Sequence, residues 1–254
     1  MRVKDKVVVV TGGASGIGRA LARRFAADGA KHVVVADLDG KGAAVVAKEI
    51  GGSSTQINVS NEAEILALIE ATERDHGPIA LFCSNAGIGI GRGIDTSDDV
   101  WQKIWEVNLM SHVYAARNLI PRMVKRGGGY LLNTASAAGL LSQIGSVTYA
   151  VTKHAAVALA EWLSITHGHE GIKVSVLCPQ AVRTAMTAGN EQGVASVDGM
   201  LEPEQVADAV TEALDQERFL VLPHPEVAEY IKRKTADYDR WLTGMRRLAA
   251  QYRG

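Results

Sequence analysis

The chain has 254 residues, 47% hydrophobic and 22% charged, which is apolar material enough for one large core of the α/β kind. Its net charge of -1 offers no basic field, which argues against nucleic acid or an acidic polymer as partner and leaves a small molecule as the expected ligand. The first apolar run, the valines Val7 to Val10, is too short for a signal peptide or a membrane span. Cys83 and Cys178 each close an apolar run, so buried reduced thiols are expected rather than a disulfide or metal site, and a cytoplasmic protein fits both observations.

Residues 6–11 read as a buried strand that runs directly into Gly12-Gly-Ala-Ser-Gly-Ile-Gly18. Ile17, Leu21 and Phe25 then fall on one face of a helix that Gly29 ends. Strand, glycine turn and helix in this order make a cradle for a pyrophosphate. Glycine lets the backbone approach, and the amides opening the helix supply donors and partial positive charge. The spacing is not G-x-G-x-x-G, and without its flanking elements the cluster would read as a tight turn. The second strand, 32–36, ends in Asp37, about 20 residues past the glycines, where a carboxylate holds both hydroxyls of an adenosine ribose. That carboxylate would repel a 2′-phosphate, and Leu38 follows it rather than a base, so NAD is expected over NADP. Arg19 is the competing signal, and capping the helix that runs to Ile50 is the plainer role for Asp37.

A strand is expected at 57–59, a helix at 61–76 closed by Gly77-Pro78, and a strand at 79–83 with Ser84-Asn-Ala-Gly87 at its carboxyl end. Gly87 permits close approach of a ring or ribose and the Asn85 amide can bridge neighbouring strands; a plain strand-end turn is the alternative. After a loop at 88–96, a helix is expected over 97–126, with Asp98 and Asp99 in its first turn. Asn108 lies midway, and because asparagine is mediocre in a helix interior it marks a local distortion or a freed carbonyl. Gly127-Gly-Gly129 stops this helix before the strand that delivers Ser136.

The chemistry is expected between Ser136 and Lys153. On a helix over 149–167, Tyr149 and Lys153 stand at i and i+4, so phenol and ammonium leave one face. A phenol with a pKa near ~10 is a poor proton carrier at neutral pH, but a neighbouring cation favours the phenolate and makes tyrosine a usable general acid or base. Ser136 can donate a hydrogen bond to a substrate oxygen. Taken alone, the pair is two common residues on a helix surface. The same helix carries Val151, Val157, Leu159, Trp162 and Leu163 among alanines and is apolar nearly all round. It needs burial on two sides, the sheet and most simply a partner subunit, which predicts a symmetric homo-oligomer.

His167-Gly-His169-Glu170 contains metal-binding residue types, but no further ligand is near in sequence and no metal is expected. A strand at 173–178 leads through 179–184 to an irregular stretch, 185–201, expected to be a substrate lid. A helix at 202–216 and a short strand at 219–222 follow. Residues 1–223 are thus read as one domain and 224–254 as a helical extension. Tyr230, Trp241, Met245 and Leu248 recur there at helical spacing among mixed charges. One amphipathic helix is expected, docked on its own domain or a neighbouring subunit rather than on a membrane.

Strand and helix alternate throughout, and the glycine turn followed by an acid after the second strand favours an open, doubly wound parallel sheet over a (β/α)₈ barrel. Thr11-Gly-Gly-Ala-Ser-Gly-Ile-Gly18, Asn85-Ala-Gly87, Asn108, Ser136 and Tyr149-x-x-x-Lys153 together resemble the short-chain dehydrogenase/reductase family, over nearly all of 6–222. The resemblance implies a single Rossmann-type α/β domain of about seven strands with helices on both faces, and a nicotinamide cofactor. It implies that Tyr149 exchanges the proton with an alcohol or carbonyl oxygen that Ser136 hydrogen-bonds. Lys153 would bind the nicotinamide ribose and depress the tyrosine pKa, and Asn108 would hold a water linking the lysine to solvent. Cofactor contacts are expected from Gly12, Ser15, Gly16, Ile17, Gly18, Asp37, Leu38, Asn58, Val59, Asn85, Ala86, Gly87, Tyr149, Lys153, Pro179, Val182 and Thr184. A dimer or tetramer would form through the helices at 108–126 and 149–167.

Three departures stand out. Asn58 replaces the family's usual Asp before Val59, Gln180 replaces the glycine that usually follows the proline at 179, and the charged aromatic tail extends past the common core. Gln180 would either crowd the nicotinamide or line the substrate site. The reading is an NAD-dependent dehydrogenase or reductase of a predominantly apolar secondary alcohol or ketone, with Ala138, Gln143, Gln180 and Met186 as substrate-side candidates and Leu140, Leu141, Ile144, Val147, Val194 and Met200 as further apolar ones. The alternatives are a non-catalytic NAD(H) sensor and an NADP-dependent 3-oxoacyl-type reductase.

Overall fold

Four consecutive valines cannot alternate between core and solvent, so a strand built from them needs cover on both faces; all five residues of β1 (Val7–Thr11) are buried. The computed structural model of the chain describes residues 1–189 and 192–252, so Asn190 and Glu191 of the expected lid and Arg253 and Gly254 of the tail lie outside the described residues. Along the chain follow α1 (Gly16–Ala27), β2 (His32–Asp37), α2 (Gly40–Ile50), β3 (Ser53–Gln56), α3 (Glu62–His76), β4 (Ile79–Ser84), α4 (Asp98–Trp105) and α5 (Ser111–Lys125). Then come β5 (Gly129–Thr134), the one-turn α6 (Ala138–Leu141), α7 (Val147–His167), β6 (Ile172–Leu177), α8 (Pro203–Asp215), β7 (Leu220–Val221), α9 (Glu226–Ala236) and α10 (Tyr238–Gln251).

The strands pair in parallel in the order β3-β2-β1-β4-β5-β6-β7, so the sheet is the expected seven-stranded one. Because successive side chains alternate, Val7 and Val9 enter one core with Ile65, Leu68, Leu119 and Ala156 of α3, α5 and α7, while Val8 and Val10 enter the other with Leu21, Phe25, Val46 and Val210 of α1, α2 and α8. Strand order reverses between β1 and β4, and in such sheets the crevice at the carboxyl ends beside that reversal is where ligands bind.

Four expectations are corrected. The third strand is Ser53–Gln56 rather than 57–59. It is an edge strand paired only to β2, and its last residue, Gln56, pairs with Asp37, so Ile57 and Val59 lie past the strand end and are buried as loop residues. The helix expected over 97–126 is two helices joined by a π-helical turn, Glu106–Met110, centred on the fully buried Asn108. This is the distortion expected at Asn108, and π turns of this kind are frequent at functional sites. The helix carrying Tyr149 starts two residues earlier, at Val147, where Ser146 caps it by accepting from the Tyr149 amide. The tail is two helices, because Asp237 leaves helical geometry at φ -158 and its carboxylate caps α10 by accepting from the Arg240 amide at 2.9 Å.

Gly139 holds α6 against α7: a Cβ there would lie 2.4 Å from the Lys153 carbonyl oxygen. At Gly168, with helical φ -58, nothing lies within 4 Å of the added carbon. Gly139→Ala is therefore expected to lower stability by about 1–3 kcal/mol. Gly168→Ala should raise it by roughly 0.4–1 kcal/mol, through the lost freedom of the unfolded chain. Urea unfolding of the two variants beside the parent checks both signs.

Candidate active site

A cleft of about 1730 Å³ opens at the carboxyl ends of β1, β4, β5 and β6. At one end lies the glycine turn. Gly12 and Gly16 take φ of +66 and +51, and a Cβ on Gly18 would sit 2.1 Å from the Gly12 carbonyl oxygen, so the turn admits no side chain there. Ser15, at the N-cap of α1, makes no capping bond and the first turn holds no acid, so the opening amides are left to an anion. Asp37 closes this end, with one carboxylate oxygen accepting from the Ala14 amide at 2.9 Å and the other from the Asp39 amide at 3.0 Å. Asp39, not Asp37, caps α2, so the plainer role considered for Asp37 does not hold. Arg19 does not line the cleft.

Asn85 ties the strands together as expected. Its side-chain nitrogen donates to the Thr11 and Gly12 carbonyls at 3.1 and 3.4 Å, while its oxygen accepts from the Thr134 hydroxyl at 3.2 Å. The Thr134 carbonyl in turn accepts from Lys153 Nζ at 2.9 Å. Lys153 is 3% exposed, and burial lowers its pKa to about 8. An ammonium has three protons, and this carbonyl takes one. A Cβ at Gly87 would lie 3.4 Å from both Lys153 Nζ and Asn108 Oδ1, which shows how closely that backbone approaches the pair.

Lys153 Nζ stands 5.6 Å from the centroid of the Tyr149 ring, and the Ser136 hydroxyl, close enough to Tyr149 to act on its titration, donates to the Pro179 carbonyl at 3.3 Å. The i, i+4 spacing thus brings ammonium, phenol and serine together at the cleft wall. The expected lowering of the phenol pKa is not found in the ligand-free chain: burial raises it, the neighbouring Ser136 hydroxyl opposes that, and the buried Cys178 adds to the rise. Asn108 does not line the cleft. Its amide is engaged with Ile88, accepting from the amide at 2.8 Å and donating to the carbonyl at 2.9 Å, with a longer bond to Thr152. Its side chain braces the loop after β4 beside the lysine.

Every residue expected to contact the cofactor lines the cleft, as do Ser136, Ala138, Gln143, Gln180 and Met186. The glycine cradle free of acid, the ribose-facing carboxylate and the unspent protons of Lys153 fit a dinucleotide. The exposed Asn58 directs its side-chain oxygen to the amide and hydroxyl of Ser60. Gln180 faces the cleft with a buried side-chain oxygen that has no hydrogen-bond partner among the described residues, and its main-chain amide donates to His224 Nδ1 at 3.2 Å. Of the further apolar candidates, Leu141, Ile144 and Val194 line the cleft; Leu140, Val147 and Met200 do not. His167 bonds Glu170 at 2.5 Å.

Sequence reasoning missed two features. The tail docks on its own domain, one of the two places expected, but there it lines the cleft, which was not expected: Tyr230 donates to Asp198 in the stretch 185–201 at 2.8 Å, Lys234 donates to the Leu140 carbonyl at 2.6 Å, and residues of α9 and α10 face the cleft. The second is His112, one helical turn beyond Asn108 and 1% exposed, with neither ring nitrogen bonded among the described residues. Burial, and then the charge of Lys153, hold it neutral, with a pKa down to about 3.

Comparison with known proteins agrees with this geometry. A family profile described as short chain dehydrogenase matches residues 6–195. The chain is 35% identical to 1-deoxy-11-beta-hydroxypentalenate dehydrogenase of Streptomyces exfoliatus over 236 residues, covering 89% of this chain and 86% of that one. It is 33% identical to meso-2,3-butanediol dehydrogenase of Serratia marcescens over 218 residues, 82% and 86% of the two chains. A short-chain dehydrogenase/reductase from Burkholderia phymatum, solved in complex with NAD, superposes with a TM-score of 0.85 at 29% identity, covering 94% of this chain and 96% of that one.

His112 generates a pH prediction. Its folded pKa lies below the unfolded value of 6.5, so the unfolded chain binds the extra proton, and stability is lost as pH falls below 6.5. Between pH 7 and pH 5 that loss is roughly 2 kcal/mol. Urea unfolding at the two pH values should show His112→Leu losing less than the parent by about that amount. Equal acid sensitivity in both proteins would mean that the ring is protonated in the native state.

Proposed function

The chain belongs to the short-chain dehydrogenase/reductase family and is an oxidoreductase of alcohols and ketones, and from that premise we propose that it moves hydride between NAD(H) and a predominantly apolar secondary alcohol or ketone, with Tyr149 carrying the proton. The observation that carries this reading is the Tyr149 ring 5.6 Å from the buried ammonium of Lys153, with Ser136 on the same wall of the cleft. The dinucleotide, held by Gly12, Ser15, Gly16, Ile17, Gly18, Asp37, Asn85, Ala86, Gly87, Lys153, Val182 and Thr184, supplies the hydride acceptor or donor. Ser136 orients the reacting oxygen toward the Tyr149 hydroxyl. Lys153 offers its remaining protons to ribose hydroxyls and holds positive charge beside the phenol. Positioning and proton transfer are what the protein contributes. With the Asn108 side chain engaged at Ile88, a water linking Lys153 to solvent would be held by the main chain of the π turn. The stretch 185–201 serves as the substrate lid, and the catalytic domain gives way to the extension at 223/224.

Preference for NAD rests on the Asp37 carboxylate at the end of β2 and on Leu38, 67% exposed, where a base would be needed to meet a 2′-phosphate. Assembly as a dimer or tetramer through 108–126 and 149–167 is supported by the outer face of α7, where Val151, Trp162 and Ile165 are exposed although α7 also buries its inner face on the sheet. The unpaired, buried Cys83 and Cys178 agree with a reducing, cytoplasmic setting.

Three outcomes are expected. Tyr149→Phe should cost roughly 10²–10⁴-fold in kcat/KM on a secondary alcohol, followed by nicotinamide absorbance, with NADH affinity kept. Binding without turnover by the parent across a broad alcohol panel would instead make the protein a dinucleotide sensor. Asp37→Ser with Leu38→Arg should reverse the ratio of NAD to NADP efficiency; an unchanged ratio would remove Asp37 from the discrimination. In sedimentation, the parent should run as a dimer or tetramer and Ile165→Glu as a smaller species.

A further inference from the structure

The substrate end of the cleft has an unusual wall. On α10, Arg240, Trp241, Gly244, Met245 and Leu248 all line it, at spacings that place them on one face. On α9, Tyr230 and Arg233 do the same. This wall belongs to the substrate end, since α9 packs on α6 and Trp241, Tyr230 and Ile231 cluster with Ala137 and Leu141, next to Ser136. It is therefore an apolar surface, Trp241, Met245 and Leu248, edged by two guanidinium groups.

Neither guanidinium makes an ion pair among the described residues, although Glu229, one turn before Arg233, attracts it at longer range. Arg233 lies over the Tyr230 ring at 5.8 Å, and neither its side chain nor that of Arg240 makes a salt bridge or side-chain hydrogen bond among the described residues. The nearby acids are engaged elsewhere: Glu229 with Lys232, Asp198 with the Tyr230 hydroxyl, and Asp237 with the Arg240 main-chain amide. By contrast, Arg23, Arg24, Arg117, Arg122 and Arg126 are all ion-paired on the outer surface of the domain. At the cleft mouth Arg92 and Lys103 add two further cations without an ion-pair partner among the described residues.

Resting on the reading of this cleft as a hydride-transfer site, we propose that the substrate is an apolar alcohol or ketone bearing a carboxylate, with its skeleton against Trp241, Met245 and Leu248 and its anion held by Arg233 and Arg240. A planar guanidinium matches a carboxylate with two parallel hydrogen bonds, and because both arginines are exposed the attraction is open to screening by salt. The tail is then a specificity element. Its ties to the lid through Tyr230–Asp198 and to α6 through Lys234–Leu140 set the distance between the charged rim and Tyr149.

The test compares two secondary alcohols of one skeleton, the carboxylic acid and its methyl ester, in the parent, R233Q, R240Q, the double variant and the charge-keeping R233K/R240K. The parent is expected to favour the acid over the ester by roughly 10- to 100-fold in kcat/KM, a preference that shrinks with added salt. The ratio should fall toward one in the double glutamine variant and recover in part in R233K/R240K. A direct measurement accompanies it: decanoate, which cannot react, should bind the NADH complex by calorimetry in the parent and about tenfold or more weaker in the double glutamine variant. Equal efficiency on acid and ester, a preference that survives the double variant, or an equal loss of NADH affinity in that variant would each overturn the proposal, the last by assigning the arginines to the dinucleotide. Arginine-dependent decanoate binding without turnover of either alcohol would support the anion site while defeating the hydride-transfer reading.

Discussion

The buried ammonium of Lys153 is the constraint on which the rest of the site depends. A cation taken out of water must be compensated, and Lys153 donates to the Thr134 carbonyl. That bond is the last link of a chain that crosses the sheet: the Thr134 hydroxyl bonds Asn85, and Asn85 bonds the carbonyls of Thr11 and Gly12. The lysine on α7 is thereby registered against the glycine turn after β1, through the ends of β5 and β4. The positions of the proton-carrying group and of the dinucleotide cradle are set by one network, so shifting any strand end by a residue would separate them.

Burial has opposite effects on the two members of the i, i+4 pair. It raises the phenol of Tyr149 and lowers the ammonium of Lys153, so the ligand-free chain holds a protonated tyrosine, the form of a general acid. Proton acceptance by Tyr149 needs more positive charge than one desolvated lysine provides. An oxidised nicotinamide is a cation and a reduced one is neutral. The same phenol is thus suited to donate its proton beside the reduced form and to accept one beside the oxidised form. Ser136, beside the hydroxyl, favours the phenolate.

What was legible in the sequence follows from how local each signal is. The glycine turn, Asp37 and the Tyr149–Lys153 spacing are set by a few consecutive residues and by helix or strand period, and each lines the cleft or braces it as its pattern implied. Asn108 was readable as a fault in a helix for the same reason, though that its amide clamps Ile88 depends on a residue 20 positions away. The third strand was misplaced because Ser53–Gln56 is polar, as an edge strand half open to solvent can be, while the apolar Ile57 and Val59 that imitate a strand are buried as a loop. Pattern reports burial, and burial here did not coincide with pairing. The phenol pKa was misjudged for a related reason: spacing tells which groups are neighbours, not how much water they have lost.

The tail shows the limit most clearly, and also why the two ends of the cleft differ in legibility. The dinucleotide end is built from strand ends early in the chain, where each binding residue adjoins the element that positions it. The substrate end is assembled from segments far apart in sequence: Ser136 and α6, the lid through Asp198, and α9 and α10, joined by bonds such as Lys234 to Leu140, 94 positions apart. An amphipathic stripe in the tail could have met its own domain or another subunit. Only the fold brings the exposed Arg233 and Arg240 to the rim of the cleft. The hydrogen bonds that join Thr11 to Lys153 through Asn85 and Thr134 use none of these late segments, so the two ends of the cleft are built independently.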